Sequence, residues 1–179
     1  MTLESLAENI PGYAKDLKLN LSSVLRQSEL TEQQSWGTAA ACAIAARNPD
    51  LAETVLLEAQ LHLSPQALEA AKIAAAIMGM NNVYYRFLHL TTNERYATIP
   101  ARLRMNGIRN HGVDAADFEL WCTAVSAINN CPACVAAHEK VLREKGMTEE
   151  TILAAVRIAS VIHAIAAVLD LEAVAPVPA

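Results

Sequence analysis

The stretch ELWCTAVSAINNCPACVAAH, residues 119–138, holds two apolar helical segments that are separated by two asparagines and followed at once by a pair of cysteines. The Asn129-Asn130 pair predicts a break between two helices. Pro132 suits the first position of the second helix, because its missing N–H has no partner there in any case. Cys131 then lies at the helix cap and Cys134 in the first turn. The stretch therefore predicts a helical hairpin with two cysteines beside its turn.

The cysteine pair has the features of a reactive dithiol. Two cysteines separated by two residues lie one turn apart, where a disulfide is within reach, and the free N–H groups at a helix start favour a thiolate. His138 lies four residues after Cys134 on the same helix face, so its ring can exchange protons with the sulfur, directly or through a water.

Glu119 can join this site from the preceding helix. If the two helices fold back on each other, Glu119 lies roughly 15 Å before the break and His138 roughly 12 Å after it, so they can lie side by side. A carboxylate fixes the tautomer of a neighbouring imidazole, and the imidazole can take a proton from a cysteine. The four residues therefore predict a nucleophilic thiol with a proton relay and a second, resolving cysteine.

A metal-binding helical module is the chemical alternative, since two Cys, one His and one Glu can supply four zinc ligands. Structural zinc sites, however, usually join separate segments of small domains that have little core, and this chain is rich in apolar residues. Outside the stretch, Cys42 and Cys122 lie in alanine-rich helical patterns, which predicts inert buried thiols. His163 lies in an apolar pattern and is predicted to be a hydrogen-bonded core histidine.

The composition favours packed helices over a sheet. The 179 residues are 53% hydrophobic, much of it alanine, and only 4% aromatic, which predicts an all-α fold with no strand. The formal net charge of −5 and the lack of a Lys/Arg cluster argue against nucleic acid or an anionic membrane as a partner. The sequence has no run of about 18 uninterrupted apolar residues and no signal-peptide pattern, so we expect a cytoplasmic protein. In that reducing compartment a C-x-x-C pair is expected to be redox-active or metal-binding.

Helix caps divide the chain into similar halves. Caps are predicted at Thr31, Ser64, Asp114 and Thr148. After Ser64 we expect a helix to about residue 78, a break at Gly79, a further helix over 81–89, a polar connection over 91–100 and a short basic helix over 102–108.

A shift of 50 residues then lays one copy of a helical hairpin over another. It places Ser64 over Asp114 and Glu69 over Glu119, while Asn81, Tyr84 and Leu88 fall at the positions of Cys131, Cys134 and His138. We therefore expect one domain, 1–179, with an N-terminal lobe, 1–100, that is scaffold, and a C-terminal lobe, 101–179, that carries the C-x-x-C site.

The spacing of Glu119, Cys131, Cys134 and His138, E-x11-C-x-x-C-x-x-x-H, resembles the active-site signature of the AhpD alkylhydroperoxidases, within the wider carboxymuconolactone decarboxylase-like superfamily. Segments over residues 13–16, 19–23, 75–83 and 118–121 read like the longer, two-lobed members, so the resemblance covers nearly the whole chain.

The resemblance implies an all-α, trimeric protein that reduces organic hydroperoxides without haem, flavin or metal. It implies that a dihydrolipoyl group on an acyltransferase of a 2-oxoacid dehydrogenase complex reduces the dithiol, which can in turn reduce a partner peroxiredoxin. Carried over by position, Cys134 is the peroxide-reacting thiolate, Cys131 resolves it, and Glu119 and His138 relay protons.

Three points qualify this resemblance. Some members carry a histidine just before the second cysteine, where this sequence has Ala133, so any proton transfer by that histidine is missing here. The wider superfamily also suggests a decarboxylase-type enzyme acting on a lactone or related acid, a chemistry that does not need two cysteines. Because the first cysteine of a C-x-x-C is the more nucleophilic one in other folds, the order in which the two thiols react stays open.

Overall fold

The computed structural model describes residues 2–174, and within them the chain forms nine α-helices, two short 3-10 turns and no strand. The all-α prediction is confirmed. The helices are α1 (Leu3–Glu8), α2 (Lys15–Val24), α3 (Glu32–Ala46), α4 (Pro49–Ala59), α5 (Pro65–Leu90), α6 (Arg95–Thr98), α7 (Ala115–Ile128), α8 (Pro132–Glu144) and α9 (Glu149–Val174).

Local capping chemistry sets most helix starts, as the sequence predicts. Thr31 and Gln34 form a reciprocal capping box at α3, in which each side chain accepts from the other residue's backbone N–H. Ser64 caps α5 and Asp114 caps α7, 50 residues apart, and Thr148 Oγ1 accepts from the Thr151 N–H at the start of α9. The predicted equivalence of the starts of α5 and α7 is therefore present in the backbone.

Helix α3 lies at the centre and packs against α4, α5, α7 and α9. Every residue from Ser35 to Ala43 is buried, and the small alanine side chains allow this close approach. At its start, Gln33 and Gln34 donate side-chain hydrogen bonds of 2.7 and 2.8 Å to the Asp117 carboxylate on α7. One continuous core contains residues from both predicted lobes, so α7, which carries Glu119, is held on a rigid base.

The predicted helix break at Gly79 is wrong, because α5 runs without interruption from Pro65 to Leu90. A glycine inside a helix costs only about 1 kcal/mol relative to alanine, and burial of apolar neighbours such as Ala75 and Met78 in the core outweighs it. The first copy of the proposed repeat is therefore one long helix, whereas the second copy is broken between α7 and α8.

The predicted basic helix over 102–108 is also wrong. Arg102 has a left-handed backbone with φ of +52°, which cannot continue a right-handed helix, and only a 3-10 turn, Asn106–Ile108, forms there. The polar connection before it contains the short helix α6. The segment between α5 and α7 is thus mostly irregular.

Helix α9 is long and apolar enough to span a membrane by these two criteria alone. Half of its most apolar window is buried inside the protein, where α9 packs against α2, α3 and α7, and core helices satisfy the same criteria. His163 lies on the exposed face of α9, so the prediction that it is a core histidine is wrong. The apolar pattern around it belongs to residues on the opposite face.

Candidate active site

The cysteine pair lies at the first turn of α8. Cys131 is the N-cap residue, Pro132 is the first helical residue, and the two sulfurs are joined in a disulfide across a Cα–Cα distance of 5.3 Å. Cys131 and Cys134 are only 1% and 6% exposed. The prediction of the helix start from Pro132 is therefore confirmed, and the pair lies where unpaired helix N–H groups favour a thiolate.

A tight turn connects α7 to the pair. Asn130 adopts a left-handed backbone with φ of +53°, which asparagine tolerates better than most residues. The Cys131 N–H then donates to the Ser126 carbonyl oxygen at 3.1 Å. This turn folds α8 back along α7, the pair of helices that makes the most extensive contact in the protein.

Glu119 and His138 meet across these two helices. Oε2 of Glu119 lies 2.6 Å from Nδ1 of His138, and the side chains are only 16% and 15% exposed. Screening by water is weak at such a position, so the pair orients the imidazole firmly. The predicted side-by-side placement of Glu119 and His138 is confirmed.

The second ring nitrogen of His138 faces α5. Nε2 lies 3.2 Å from the Met78 Sδ, and within residues 2–174 no hydrogen bond joins the ring to either sulfur of the disulfide. A thioether is a weak acceptor, so this contact holds the ring without competing strongly for its proton. In the disulfide-bonded state the imidazole is therefore oriented by Glu119 and Met78 together.

Residues of α5 at this site were missed by the sequence reasoning, which treated the first copy of the repeat as scaffold. Met78 touches His138, while Asn82 and Arg86 bond to the turn between α7 and α8. A signal for Asn82 was present, because asparagine is a poor helix former inside a helical pattern, and Asn82 makes tertiary hydrogen bonds to Ser126 and Asn129. Tyr84 and Leu88, which the 50-residue shift aligns with Cys134 and His138, are half-buried on α5 and belong neither to the disulfide nor to the Glu119–His138 pair.

A cavity of about 390 Å³ opens on the Cys131 side of the disulfide. It lies between the end of α7 and the outer face of α8, and its lining residues are Ser126, Ala127, Asn130, Cys131, Pro132, Val135, Ala136 and Glu139. Neither Glu119 nor His138 contributes to it. The two cysteines thus have different surroundings: Cys131 borders the cavity, and Cys134 lies one turn from the histidine.

Within residues 2–174, no three or more His, Cys, Asp and Glu side chains converge in an arrangement that can hold a metal ion. The four residues proposed as zinc ligands are instead arranged as two pairs, Cys131 with Cys134 and Glu119 with His138. This arrangement suits thiol chemistry with an adjacent proton carrier.

The two remaining cysteines are free and buried, as predicted. Burial raises the pKa of the Cys42 thiol well above its usual range. Burial, and secondarily the charge of Glu119, also raises the pKa of Cys122. Because thiolates are the reactive form, neither residue should react in the folded protein.

Alkylation should separate the two classes of cysteine. When the disulfide has been reduced, iodoacetamide is expected to label Cys131 and Cys134 but to spare Cys42 and Cys122, even at pH 9, where an ordinary thiol is largely ionised. After denaturation all four should be labelled. Mass spectrometry of digested protein measures this, and native labelling of Cys122 at the rate of Cys134 would contradict it.

The fold and the site define an all-helical protein with a C-x-x-C disulfide at a helix start and a buried Glu–His pair beside it. Comparisons with known proteins give it a family. Residues 94–176 match the model of the carboxymuconolactone decarboxylase family. The chain is 66% identical over 173 residues to a protein of Solibacter usitatus named alkyl hydroperoxide reductase AhpD, covering 97% of this chain and 98% of the relative.

Proteins of the same name show similar agreement. The one from Acidobacterium capsulatum is 63% identical over 175 residues, covering 97% of this chain and 96% of the relative. The one from Koribacter versatilis is 57% identical over 173 residues, covering 96% and 89%. The chain belongs to the AhpD alkylhydroperoxidase family.

Proposed function

We propose that the protein is an alkyl hydroperoxide reductase that works through a dithiol–disulfide cycle of Cys131 and Cys134. The observation that carries the proposal is the pairing of a disulfide at the start of α8 with a histidine of the same helix, itself bonded to a buried carboxylate. The name of the relatives, alkyl hydroperoxide reductase, supports the substrate class.

The peroxide step uses the thiolate of Cys134. Its sulfur attacks the hydroperoxide, an S–O bond forms as the O–O bond breaks, and the alkoxide leaves as an alcohol after taking a proton from His138. Cys131 then attacks the resulting sulfenic acid, which forms the disulfide and releases water. Burial of both cysteines supports this sequence, because it keeps the sulfenic acid beside its resolving partner and away from other thiols.

Glu119 and His138 manage the protons of this cycle. With Glu119 ionised, Nδ1–H of His138 donates to its Oε2, and Nε2 is the atom that gives or takes a proton. The weak contact of Nε2 with Met78 is one the ring can give up when a thiolate or an alkoxide appears nearby. Ala133, just before Cys134, offers no second proton carrier.

The reductant in this proposal is a dihydrolipoyl group carried by an acyltransferase. One of its thiolates attacks Cys131, Cys134 leaves as a thiolate, and the second lipoyl thiol closes a lipoyl disulfide while the protein disulfide becomes a dithiol. The cavity beside Cys131 supports approach from this side. Overall, one hydroperoxide and one dihydrolipoyl group yield an alcohol, water and a lipoyl disulfide.

We also propose a homotrimer in the cytoplasm that passes electrons to a partner peroxiredoxin. An apolar stripe supports assembly: Val83, Phe87 and Leu90 lie on one exposed face of α5, and the Phe87 ring contacts Tyr96 at a centroid distance of 5.3 Å. Exposed apolar patches of this kind mark contact surfaces between subunits or partners.

A thiol titration tests the proposed function. Reduction with dihydrolipoamide should expose two titratable thiols per chain, and one equivalent of cumene hydroperoxide should remove both, with cumyl alcohol as the product. A second addition of dihydrolipoamide should restore them. If the thiols persist while the hydroperoxide remains unconsumed, the proposal is wrong.

The family model that matches residues 94–176 favours a decarboxylase-type enzyme as the second candidate function. Such an activity should survive simultaneous replacement of Cys131 and Cys134 with serine, whereas the proposed peroxidase activity should not. For the metal-binding alternative, elemental analysis decides: stoichiometric zinc without titratable thiols would favour it.

A further inference from the structure

Three side-chain hydrogen bonds attach the end of α7 and the turn that follows it to α5. Nδ2 of Asn82 donates to the Ser126 Oγ at 2.9 Å, and its Oδ1 accepts from the Asn129 Nδ2 at 2.9 Å. One helical turn further along α5, Nη1 of Arg86 donates to the Asn129 carbonyl oxygen at 2.6 Å. The turn that precedes Cys131 is therefore attached both to the end of α7 and to a separate long helix.

These hydrogen bonds are wholly or partly shielded from water, which increases their contribution to holding the turn in place. Asn82 is 1% exposed and Ser126 is fully buried, so water cannot replace the bond between them. Ser126 in turn accepts the Cys131 N–H through its own carbonyl oxygen. A continuous chain of contacts thus leads from Asn82 through Ser126 to the backbone of Cys131.

We infer that Asn82 and Arg86 are positioning residues for the cysteine pair: they fix the turn that carries Cys131 and thereby favour the disulfide over the dithiol. Asn82 Nδ2 also lies 3.9 Å from the Met78 Sδ, but the stronger bonds of both side chains go to the end of α7 and to Asn129, so both act on the cysteine pair through the turn. The inference rests on the dithiol–disulfide cycle proposed above and assigns to α5 a part in that cycle.

The physical link is the effective concentration of one thiol at the other. In the exchange, two protein S–H groups become one S–S bond while an external disulfide takes up two hydrogens and becomes a dithiol. The equilibrium depends on how often the Cys131 sulfur faces Cys134. If the turn is released, the reduced protein gains conformers in which the sulfurs are apart, and the equilibrium moves toward the dithiol.

The test compares exchange equilibria. Wild type, Asn82→Ala and Arg86→Met are equilibrated with lipoamide and dihydrolipoamide at a series of ratios, and the reduced fraction is measured by alkylation and mass spectrometry. Asn82→Ala should shift the equilibrium about tenfold toward the dithiol, which corresponds to about 30 mV. Arg86→Met removes one bond of a partly exposed residue and should shift it about threefold, or about 15 mV.

Asn48→Ala is the matched control. Asn48 is also a buried asparagine with two side-chain bonds, to the Leu51 N–H and to the Asp170 carboxylate, but it lies at the start of α4. Its replacement should lower stability without moving the exchange equilibrium. Urea denaturation should show that Asn82→Ala lowers the free energy of unfolding more in the disulfide form than in the dithiol form. Asn48→Ala should lower the free energy of unfolding equally in both forms.

The outcomes separate the inference from the proposed function. If wild type cycles with dithiol and hydroperoxide but both α5 variants keep its equilibrium, the inference is wrong and the proposed function stands. If wild type does not cycle, the proposed function is wrong. Should Asn82→Ala fail to fold, Arg86→Met and Ser126→Ala decide the question, and unchanged equilibria in both would overturn the inference.

Discussion

Serine at either Cys131 or Cys134 is expected to abolish dihydrolipoamide-dependent turnover of organic hydroperoxide. A serine hydroxyl is not ionised near neutral pH and cannot form a disulfide, so each variant removes one partner of the bond that the structure places at the start of α8. Turnover should fall to the background rate of the uncatalysed reaction, measured as peroxide consumed under excess dihydrolipoamide.

The two variants should differ in a single turnover. Cys131→Ser keeps Cys134 and should consume one equivalent of hydroperoxide, leaving a sulfenic acid that dimedone traps. Cys134→Ser should consume none. The reverse pattern would assign the peroxide step to Cys131, and full turnover in either variant would refute the dithiol cycle. Cys42→Ala is the control, because this thiol is buried on α3 and is not part of the disulfide, so its loss should leave turnover in place.

Gly37→Ala is expected to destabilise the protein by about 1–3 kcal/mol, although alanine is the better helix former. A Cβ at Gly37 in α3 would overlap the indole ring of Trp121, which is fully buried on α7. Neither helix can retreat, since α3 packs against four other helices. Urea denaturation at fixed protein concentration measures the loss.

Gly79→Ala provides the matched control on α5. A Cβ at Gly79 meets nothing within 4 Å, and the residue lies inside a continuous helix, so alanine should stabilise by about 0.5–1 kcal/mol. Opposite signs at the two glycines are the expected result. A stabilised Gly37→Ala would contradict the packing of α3 against Trp121, and a destabilised Gly79→Ala would contradict the continuity of α5.

The helix starts and the Glu119–His138 contact were predictable from sequence for the same reason: both depend on short-range geometry. A cap is a bond between a side chain and a backbone N–H about three residues away, as at Thr31 and Ser64. Once the turn at Asn129 is located, the rise per residue of two antiparallel helices fixes which side chains meet.

The course of α5 was not predictable in this way. The local cost of placing Gly79 inside a helix is small, about 1 kcal/mol. Burial of the neighbouring side chains outweighs this cost, so the helix continues through Gly79. The contacts of Met78, Asn82 and Arg86 join residues separated by 60, 44 and 43 positions. No periodic pattern encodes such a contact, so only the unusual pair of asparagines inside the helix pointed to it.

Helix α5 is continuous, whereas α7 and α8 are separated by a break. This difference determines whether the cysteine motif would have the same surroundings if it were introduced into α5. At the positions of Asn81 and Tyr84 the backbone N–H groups are already bonded within the helix, whereas those at Cys131 and Cys134 stand at a helix beginning. Substituting two cysteines and a histidine into α5 would therefore reproduce the sequence motif but not the free N–H groups of a helix start. The proposed reactivity of this centre therefore depends on the break between α7 and α8 as much as on its side chains.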